Sequence, residues 1–301
     1  MPRTVALVTT GIAGLGAATL AYAGLWERNA FTLRRATVPV LPPGSTPVRL
    51  LHISDVHMLG RQKQKQAWIR DLGRLLPDLV VSTGDHLAGA DGIPAILDAL
   101  GPLLDRPGAF VLGSNDYFAP VPKNPLKYFD PHHKRVAGPD LPTGELVTGL
   151  RHAGWHDLTN ASASLAAGGV RIALRGVDDP HLHRDRYEAV AGPVNPDANL
   201  TIGVVHAPEP SVLSRFEQDG ARLLLSGHTH GGQLRVPGVG ALVTNCGIDR
   251  ARSRGLSRFG DAWLHVSAGL GTSPHAPVRF WCRPEATLLT LTPVSDPAGV
   301  G

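Results

Sequence analysis

The chain has 301 residues and a net charge of +4 from 29 Lys and Arg against 25 Asp and Glu, and 43% of its residues are hydrophobic. This balance excludes a disordered or collagen-like chain, and the length allows a sizeable core in one large domain or two small ones. The mildly basic charge favours anionic partners. Lys and Arg form no run of the kind that makes a nucleic-acid arm, so no specific nucleic-acid binding is expected.

In chain order, Thr4 to Leu25 is a stretch of 22 residues without a charge, flanked by Arg3 and by Glu27-Arg28. About 20 apolar residues span a bilayer core as a helix, so residues 1–26 read as a membrane anchor. Ala21-Tyr22-Ala23 also fits a signal-peptide cleavage site, and a buried soluble helix is the third reading. The side of the membrane is left open by Arg3 against Arg28, Arg34 and Arg35. Residues 27–47, with Pro39, Pro42, Pro43 and Pro47, read as an extended connector.

Val48 to Ile53 then predicts a buried strand that delivers Asp55 and His57, and residues 62–76 predict a helix with Trp68, Leu72, Leu75 and Leu76 on one face. A second strand at 78–82 ends at Gly84-Asp85, a helix follows at 93–104, and a third strand at 109–112 ends near Asn115. Such alternation indicates a parallel α/β layout. The stretch 119–144, with six prolines and the pair His132-His133, reads as a long loop over the strand ends. The second half is β-rich, with strands at 170–177, 200–205, 222–225, 263–266 and 286–291 and one helix near 209–218. No internal repeat and no later linker is visible. One catalytic domain is therefore expected over 48–292, with a tail at 293–301. Trp68, Trp263 and Trp281 read as packing aromatics. Cys246 and Cys282, the only cysteines, read as isolated thiols unless the domain is exported.

Short polar clusters follow the apolar runs: Asp55-Val56-His57, Gly84-Asp85-His86, Gly113-Ser114-Asn115-Asp116, His206, His228-Thr229-His230 and Gly231-Gly232. Carboxylate, amide and imidazole donors suit hard to borderline divalent cations. The ends of strands in an α/β sheet form the natural crevice for a ligand. Two cations about 3.5–4 Å apart can clamp a phosphate there, and a carboxylate can bridge them. Asp85, between the other carboxylate cluster and the amide cluster, is the expected bridge. Gly231 and Gly232 would let the backbone turn tightly beside the metals.

The order D-x-H, G-D, G-N-x, H, G-H-x-H resembles the calcineurin-like metallophosphoesterase superfamily over roughly 48–292. The run Gly227-His-Thr-His-Gly-Gly-Gln233, the segment Gly269-Leu-Gly-Thr-Ser273 and the membrane-linked start resemble its bacterial YkuE/YaeI-like phosphodiesterase branch, which includes some UDP-diacylglucosamine pyrophosphatases. The resemblance implies a four-layer α/β/β/α sandwich with mixed sheets and a dinuclear centre of Mn, Fe or Zn. By motif, Asp55, His57, Asp85 and His230 would hold the first metal, and Asp85, Asn115, His206 and His228 the second. A hydroxide bridging the two would attack phosphorus in line. Asn115, His228 and Asp116 are the catalytic candidates.

The family pattern G-N-H-[DE] is broken in Gly113-Ser114-Asn115-Asp116, where Asp116 is read at the histidine position. Either Asp116 serves as a protonated acid, or the leaving group needs none, as with a pyrophosphate. His86, His132 and His133 are possible stand-ins for the imidazole. Arg250, Arg252 and Arg254 read as a solvated loop or as a phosphate clamp, with His86 as a further substrate-binding candidate. Asp178, Asp179, His181 and His183 read as loop groups, with lining of the cleft as the sharper reading.

The expectation is a membrane-associated phosphohydrolase for a phosphodiester or pyrophosphate bond, with a lipid-linked substrate as candidate. A phosphodiesterase for soluble nucleotides and a non-catalytic metal sensor are the rivals.

Overall fold

A computed structural model of the chain describes residues 14–122 and 137–295. Two six-stranded mixed sheets stack face to face. The first has the order β1-β14-β2-β3-β4-β5, formed by Thr32–Leu41 (β1), Glu285–Pro293 (β14), Val48–Ile53 (β2), Leu79–Ser82 (β3), Gly108–Phe110 (β4) and His156–Asp157 (β5). The second has the order β12-β13-β9-β8-β7-β6, formed by Gly255–Phe259 (β12), Ala262–Val266 (β13), Leu223–Ser226 (β9), Leu200–Val204 (β8), Val170–Gly176 (β7) and Ala161–Ala167 (β6). Strands β2 to β5 run parallel, as do β7, β8, β9 and β13, and this brings their C-terminal ends to common edges.

The period of two along each strand divides the core. Val48 and Leu50 of β2 face the second sheet and pack with Ile172, Ile202 and Leu225, whereas Leu51 and Ile53 face outward. The outward face is covered by helices α1 (Lys63–Asp71), α2 (Gly92–Leu104) and α3 (Thr143–His152), which bury residues such as Ile69, Ile96 and Leu150. Helix α4 (Pro210–Gln218) covers the second sheet through Val212, Leu213 and Phe216. The result is the expected α/β/β/α order. Among the inward-facing residues, His52 of β2 and His265 of β13 meet across the two sheets, Nδ1 to Nδ1, at 2.8 Å.

The structure differs from the sequence expectations at several places. The segment 27–47 is not a free connector, because its centre is β1, paired in parallel with β14 along its length. Of the loop expected over 119–144, residues 123–136, with His132 and His133, lie outside the described residues, and α3 begins at Thr143. Trp281, read as a packing aromatic, is 62% exposed, whereas Cys282 beside it is buried and both cysteines are free thiols. Residues 14–21 are helical and continue through the wider turn Tyr22–Trp26 to Asn29. Among the described residues no helix is long and apolar enough to cross a membrane. Residues 4–13 of the uncharged stretch lie outside them.

Candidate metal centre

Five strand ends carry the candidate donors. Asp55 and His57 follow β2, Asp85 follows β3, Asn115 lies beyond β4, His206 follows β8, and His228 and His230 follow β9. Backbone hydrogen bonds lace these loops together: Asp55 N–H donates to Gly84 O at 2.9 Å, His57 N–H to Asp85 O at 2.9 Å, and Gly227 N–H to His206 O at 2.8 Å. Gly84 has φ +87°, and a β-carbon there would lie 2.5 Å from Gly113 N, so the G-D turn has no room for a side chain.

Five of the seven donors take left-handed backbone angles: Asp55 (φ 48°), His57 (φ 45°), Asp85 (φ 53°), His228 (φ 67°) and His230 (φ 49°). This region costs a non-glycine residue on the order of 1 kcal/mol or more, and it persists where the surroundings over-determine it. Here the lacing does so, and the strain turns successive side chains of D-x-H and H-x-H to one side.

The donors converge. His57 Nε2 lies 3.2 Å from His230 Nε2, and His206 Nε2 lies 3.3 Å from His228 Nδ1. Asp85 Oδ2 is 3.5 Å from His57 Nε2, 3.5 Å from His206 Nε2 and 2.6 Å from the Asn115 amide. Two compact donor groups result, Asp55, His57 and His230 in one and Asp55, Asp85 and His206 in the other, each within 4.8 Å. Both carboxylates sit in the middle, and Asp85 has one oxygen equidistant from a histidine of each half. Its sister Asp55 is otherwise committed, because its Oδ2 accepts from Ser54 Oγ at 2.5 Å and from His228 N–H at 2.9 Å.

The electrostatics suit a cation. Burial pushes His57 down to about 4 and holds His228 and His230 well below the ordinary imidazole range, so their nitrogens present lone pairs. Burial, opposed by His206, pushes Asp55 up to about 6. His206 is the exception: burial works against it, but the charge of Asp85 raises it well above its usual value. Reciprocally, burial opposes ionisation of Asp85, but His206 holds it well below the carboxylate range. Ring nitrogens facing one another at 3.2–3.3 Å without enough protons to share are the arrangement that divalent cations resolve, so the donor set fits the metals the motif implies.

The calcineurin-like phosphoesterase profile matches residues 48–232, more than half of the chain. The chain belongs to the calcineurin-like phosphoesterase family. It is 28% identical to phosphodiesterase YaeI of Escherichia coli over 277 residues, covering 88% of this chain and 90% of that protein. It is 26% identical to the uncharacterized metallophosphoesterase YkuE of Bacillus subtilis over 255 residues, covering 84% and 82%. UDP-2,3-diacylglucosamine pyrophosphatase LpxG of Chlamydia trachomatis is 27% identical over 284 residues, covering 80% and 83%. Among solved structures, TT1561 of Thermus thermophilus aligns over 75% of this chain and 91% of its own, at 12% identity and a TM-score of 0.42. This metallophosphoesterase is accordingly a hydrolase of phosphoester bonds.

Not every residue singled out in the sequence joins the centre. Asp116 is fully buried, and its oxygens accept from the N–H groups of His86 (2.7 Å), Leu87 (3.2 Å) and Gly113 (2.9 Å). The turn Gly113–Asp116 has the same four-residue length as G-N-H-[DE], with Asp116 closing it onto Gly113. Asp116 therefore takes the place of the motif's final acid, Asn115, not Asp116, stands where the histidine was expected, and the buried Ser114 stands where the motif has its metal-binding asparagine. His86 is also fully buried, held between Ser82 Oγ at 2.7 Å and Asp116 at 3.0 Å, so its ring is occupied behind the loop.

The three arginines are not brought together. Arg250 is exposed and reaches Leu242 O, Arg252 lies 5.9 Å over the Phe259 ring, and Arg254 points to Cys282 Sγ at 3.9 Å. His181, by contrast, borders the centre: its ring is 4.1 Å from that of His228 and its Nε2 is 2.9 Å from Glu209.

Two buried cations escaped sequence reasoning. Arg279 is fully buried, donates through Nη2 to the carbonyls of Ala268 (2.7 Å) and Gly271 (2.7 Å), and lies 3.3 Å from His230 Nδ1. Lys65, on the buried face of α1, donates to Val56 O at 2.6 Å and so grips the D-x-H loop from behind. Burial, then Arg279 and Arg28, push its ammonium down to about 7. No motif marks either residue. The only local signal is a lysine falling on the apolar face of a helix.

Proposed function

We propose that this metallophosphoesterase hydrolyses a phosphoanhydride bond in a lipid-linked substrate at a two-metal centre, and that the uncharged N-terminal stretch associates it with a membrane. The observation that carries the reading is the amide of Asn115 beside Asp85 where the family motif has an imidazole, with Asp116 and His86 turned into the protein. A phosphate leaving group departs without a proton, whereas an alkoxide needs one. LpxG, a relative over most of its length, is named a UDP-2,3-diacylglucosamine pyrophosphatase.

Bound metals, assigned here to Asp55, His57, Asp85 and His230 and to Asp85, His206 and His228, would neutralise phosphate charge and lower the pKa of a coordinated water. The chain's own groups do the rest. Ser54 and the His228 N–H fix one oxygen of Asp55, and the Gly271 carbonyl, itself held by Arg279, accepts from His230 Nδ1 and fixes the tilt of that ring. Asn115 is held by two contacts to Asp85 and can orient a phosphoryl oxygen through its amide. In the overall reaction one P–O bond forms from water, the bridging P–O bond breaks, and two phosphate monoesters leave with the released protons going to solvent.

The test is a series of diesters and diphosphates with graded leaving groups, assayed on metal-loaded full-length protein beside Asp85→Asn. The expected result is a kcat/KM that rises steeply as the leaving group becomes more acidic, with diphosphate lipids in micelles preferred over soluble nucleotide diphosphates. Equal turnover of alkyl diesters and diphosphates would remove the anhydride assignment. Equal turnover of soluble and lipid diphosphates would leave a general nucleotide phosphodiesterase. Background rates with every metal would leave a sensor.

A further inference from the structure

The hairpin β10 (Arg235–Val236) and β11 (Gly240–Ala241) leaves the domain a few residues after His230 and carries exposed apolar side chains: Leu234, Val236, Val239 and Leu242, with Val239 69% exposed. It is joined edge-on to the loop that holds Arg279, because Arg235 N–H donates to Phe280 O at 2.9 Å and Phe280 N–H to Gln233 O at 3.0 Å. The Phe280 ring meets Tyr22 edge to face at 6.4 Å, and Tyr22 stacks on Trp26 at 5.2 Å. Through Phe280 the hairpin is thus continuous with the N-terminal helix, whose Leu20, Leu25 and Trp26 are also largely exposed, and with exposed Trp281 between them.

Exposed apolar patches of this extent on a monomer mark an interaction surface. Its charge indicates what covers it. Residues 14–26, 228–248 and 273–283 contain no Asp or Glu, and their charged groups are Arg235, Arg283 and the buried Arg279; the exposed Asp249 follows directly, beside Arg250. Arg283 stacks 4.8 Å over Trp26, and Arg250 borders the hairpin at Leu242. The carboxylate of Glu27 is withdrawn under the patch, where it accepts the N–H groups of Trp281 (3.0 Å) and Cys282 (2.6 Å). Aliphatic and Trp side chains bordered by Arg235, Arg250 and Arg283 against the single exposed acid Asp249, which accepts from Ala251 N–H, match the boundary of an anionic bilayer. The uncharged stretch that begins at Thr4 runs directly into this face.

We infer that the β10–β11 hairpin, Trp281 and the N-terminal helix form one docking face for an anionic phospholipid bilayer, which sets the mouth of the metal centre against the headgroups. This rests on the lipid-linked reading for its purpose but not for its detection. Both ends of the hairpin abut donors, His230 at its start and Asn245, whose carbonyl is 3.4 Å from His228 Nε2, after its end. A bilayer under the hairpin therefore presents phosphates at the cleft, and no lipid has to be extracted.

The test labels the full-length chain with an environment-sensitive fluorophore at Val239→Cys, or at Ser164→Cys on β6 of the second sheet, both in a Cys246→Ala background. Phosphatidylcholine vesicles are used with and without phosphatidylglycerol. The expected result is a blue shift and quenching by doxyl-labelled lipid at position 239 only, strengthened by phosphatidylglycerol. Unchanged quenching by aqueous iodide at 239 on adding vesicles overturns the inference. A 239 signal that depends on protein concentration without vesicles also overturns it, in favour of a second copy of the chain. Independently, Val239→Asp with Leu242→Asp should lower the ratio of turnover on vesicle-held to soluble diphosphate roughly tenfold. An unaltered ratio contradicts the inference. The labelling result stands even if no diphosphate is cleaved, so the two readings fail separately.

Discussion

Asp116 receives the backbone N–H of His86 at 2.7 Å and faces the Nδ1 of the same residue at 3.0 Å, both partners being wholly buried. The carboxylate ties the G-D-H loop to the Gly113 turn, and this keeps Asp85 and Asn115 in register. Asp116→Ala should lower the unfolding free energy by about 3 kcal/mol, since it strands three backbone donors. Urea unfolding measures this. The dependence of rate on leaving-group pKa should keep its wild-type slope. Intact stability with a steepened slope would restore the role of acid to Asp116.

Asp85 occupies the middle of the donor set. Asp85→Asn keeps the shape and one oxygen but removes the charge, so bound metal should fall below two ions per chain and turnover should drop on the order of 100-fold or more. Metal analysis after gel filtration, with circular dichroism as the check on folding, decides this. Full metal content in the variant would move the bridging role to Asp55.

The inter-sheet pair gives a pH dependence. Burial pushes His265 down to about 4, and burial, then His265, lower His52. Each ring is neutral when folded but protonated when unfolded below its ordinary value of 6.5. The unfolded chain therefore binds more protons in this window, and stability is complete above about pH 6.5 and is lost as pH falls toward 4. His265 alone accounts for up to about 3 kcal/mol. Denaturant midpoints between pH 4 and 7 should show the decline, and His265→Gln should flatten it. An equal slope in the variant would assign the decline to other groups.

Arg279 acts on the centre through His230. Arg279→Lys retains the charge but loses the planar fork that spans the carbonyls of Ala268 and Gly271. Metal affinity should weaken about tenfold while the fold survives. Titration calorimetry on the apoprotein measures it, and wild-type affinity would confine Arg279 to packing.

Glu27 anchors the 277–283 loop by its two backbone acceptor contacts. Glu27→Ala should speed amide exchange at Trp281 and Cys282 while leaving that of β8 and β9 unaltered. Retained protection at 281 and 282 would show that the loop holds itself.

The convergence of these side chains was legible because each polar cluster interrupts an apolar run at a strand end, and chance does not repeat such an interruption from Asp55 through to His230. The strand β1 was hidden, since Arg34, Arg35 and Pro39 break the alternation of a half-buried strand. Helix α3 was obscured by Gly144 and Gly149 and by a stripe in which only Leu146 and Leu150 are buried. Arg279, Lys65 and Glu27 bury charges against carbonyl or amide groups far along the chain, a relation no local pattern encodes. Asp116 was visible but read one position out of register, because an acid and an amide look alike as donors until the turn closes.

The left-handed angles at Asp55, His57, Asp85, His228 and His230 also bear on engineering of the cleft. At these positions alanine confounds a missing ligand with an altered backbone preference, and a β-branched replacement adds a steric penalty of its own. Asparagine, which tolerates this conformation, keeps the loop's path while withdrawing the imidazole or the charge. A scan built on asparagine holds the backbone preference while exchanging each ligand for a weaker amide oxygen, and its difference from the alanine scan at each site combines that residual coordination with the part of the cleft's shape written in its main chain.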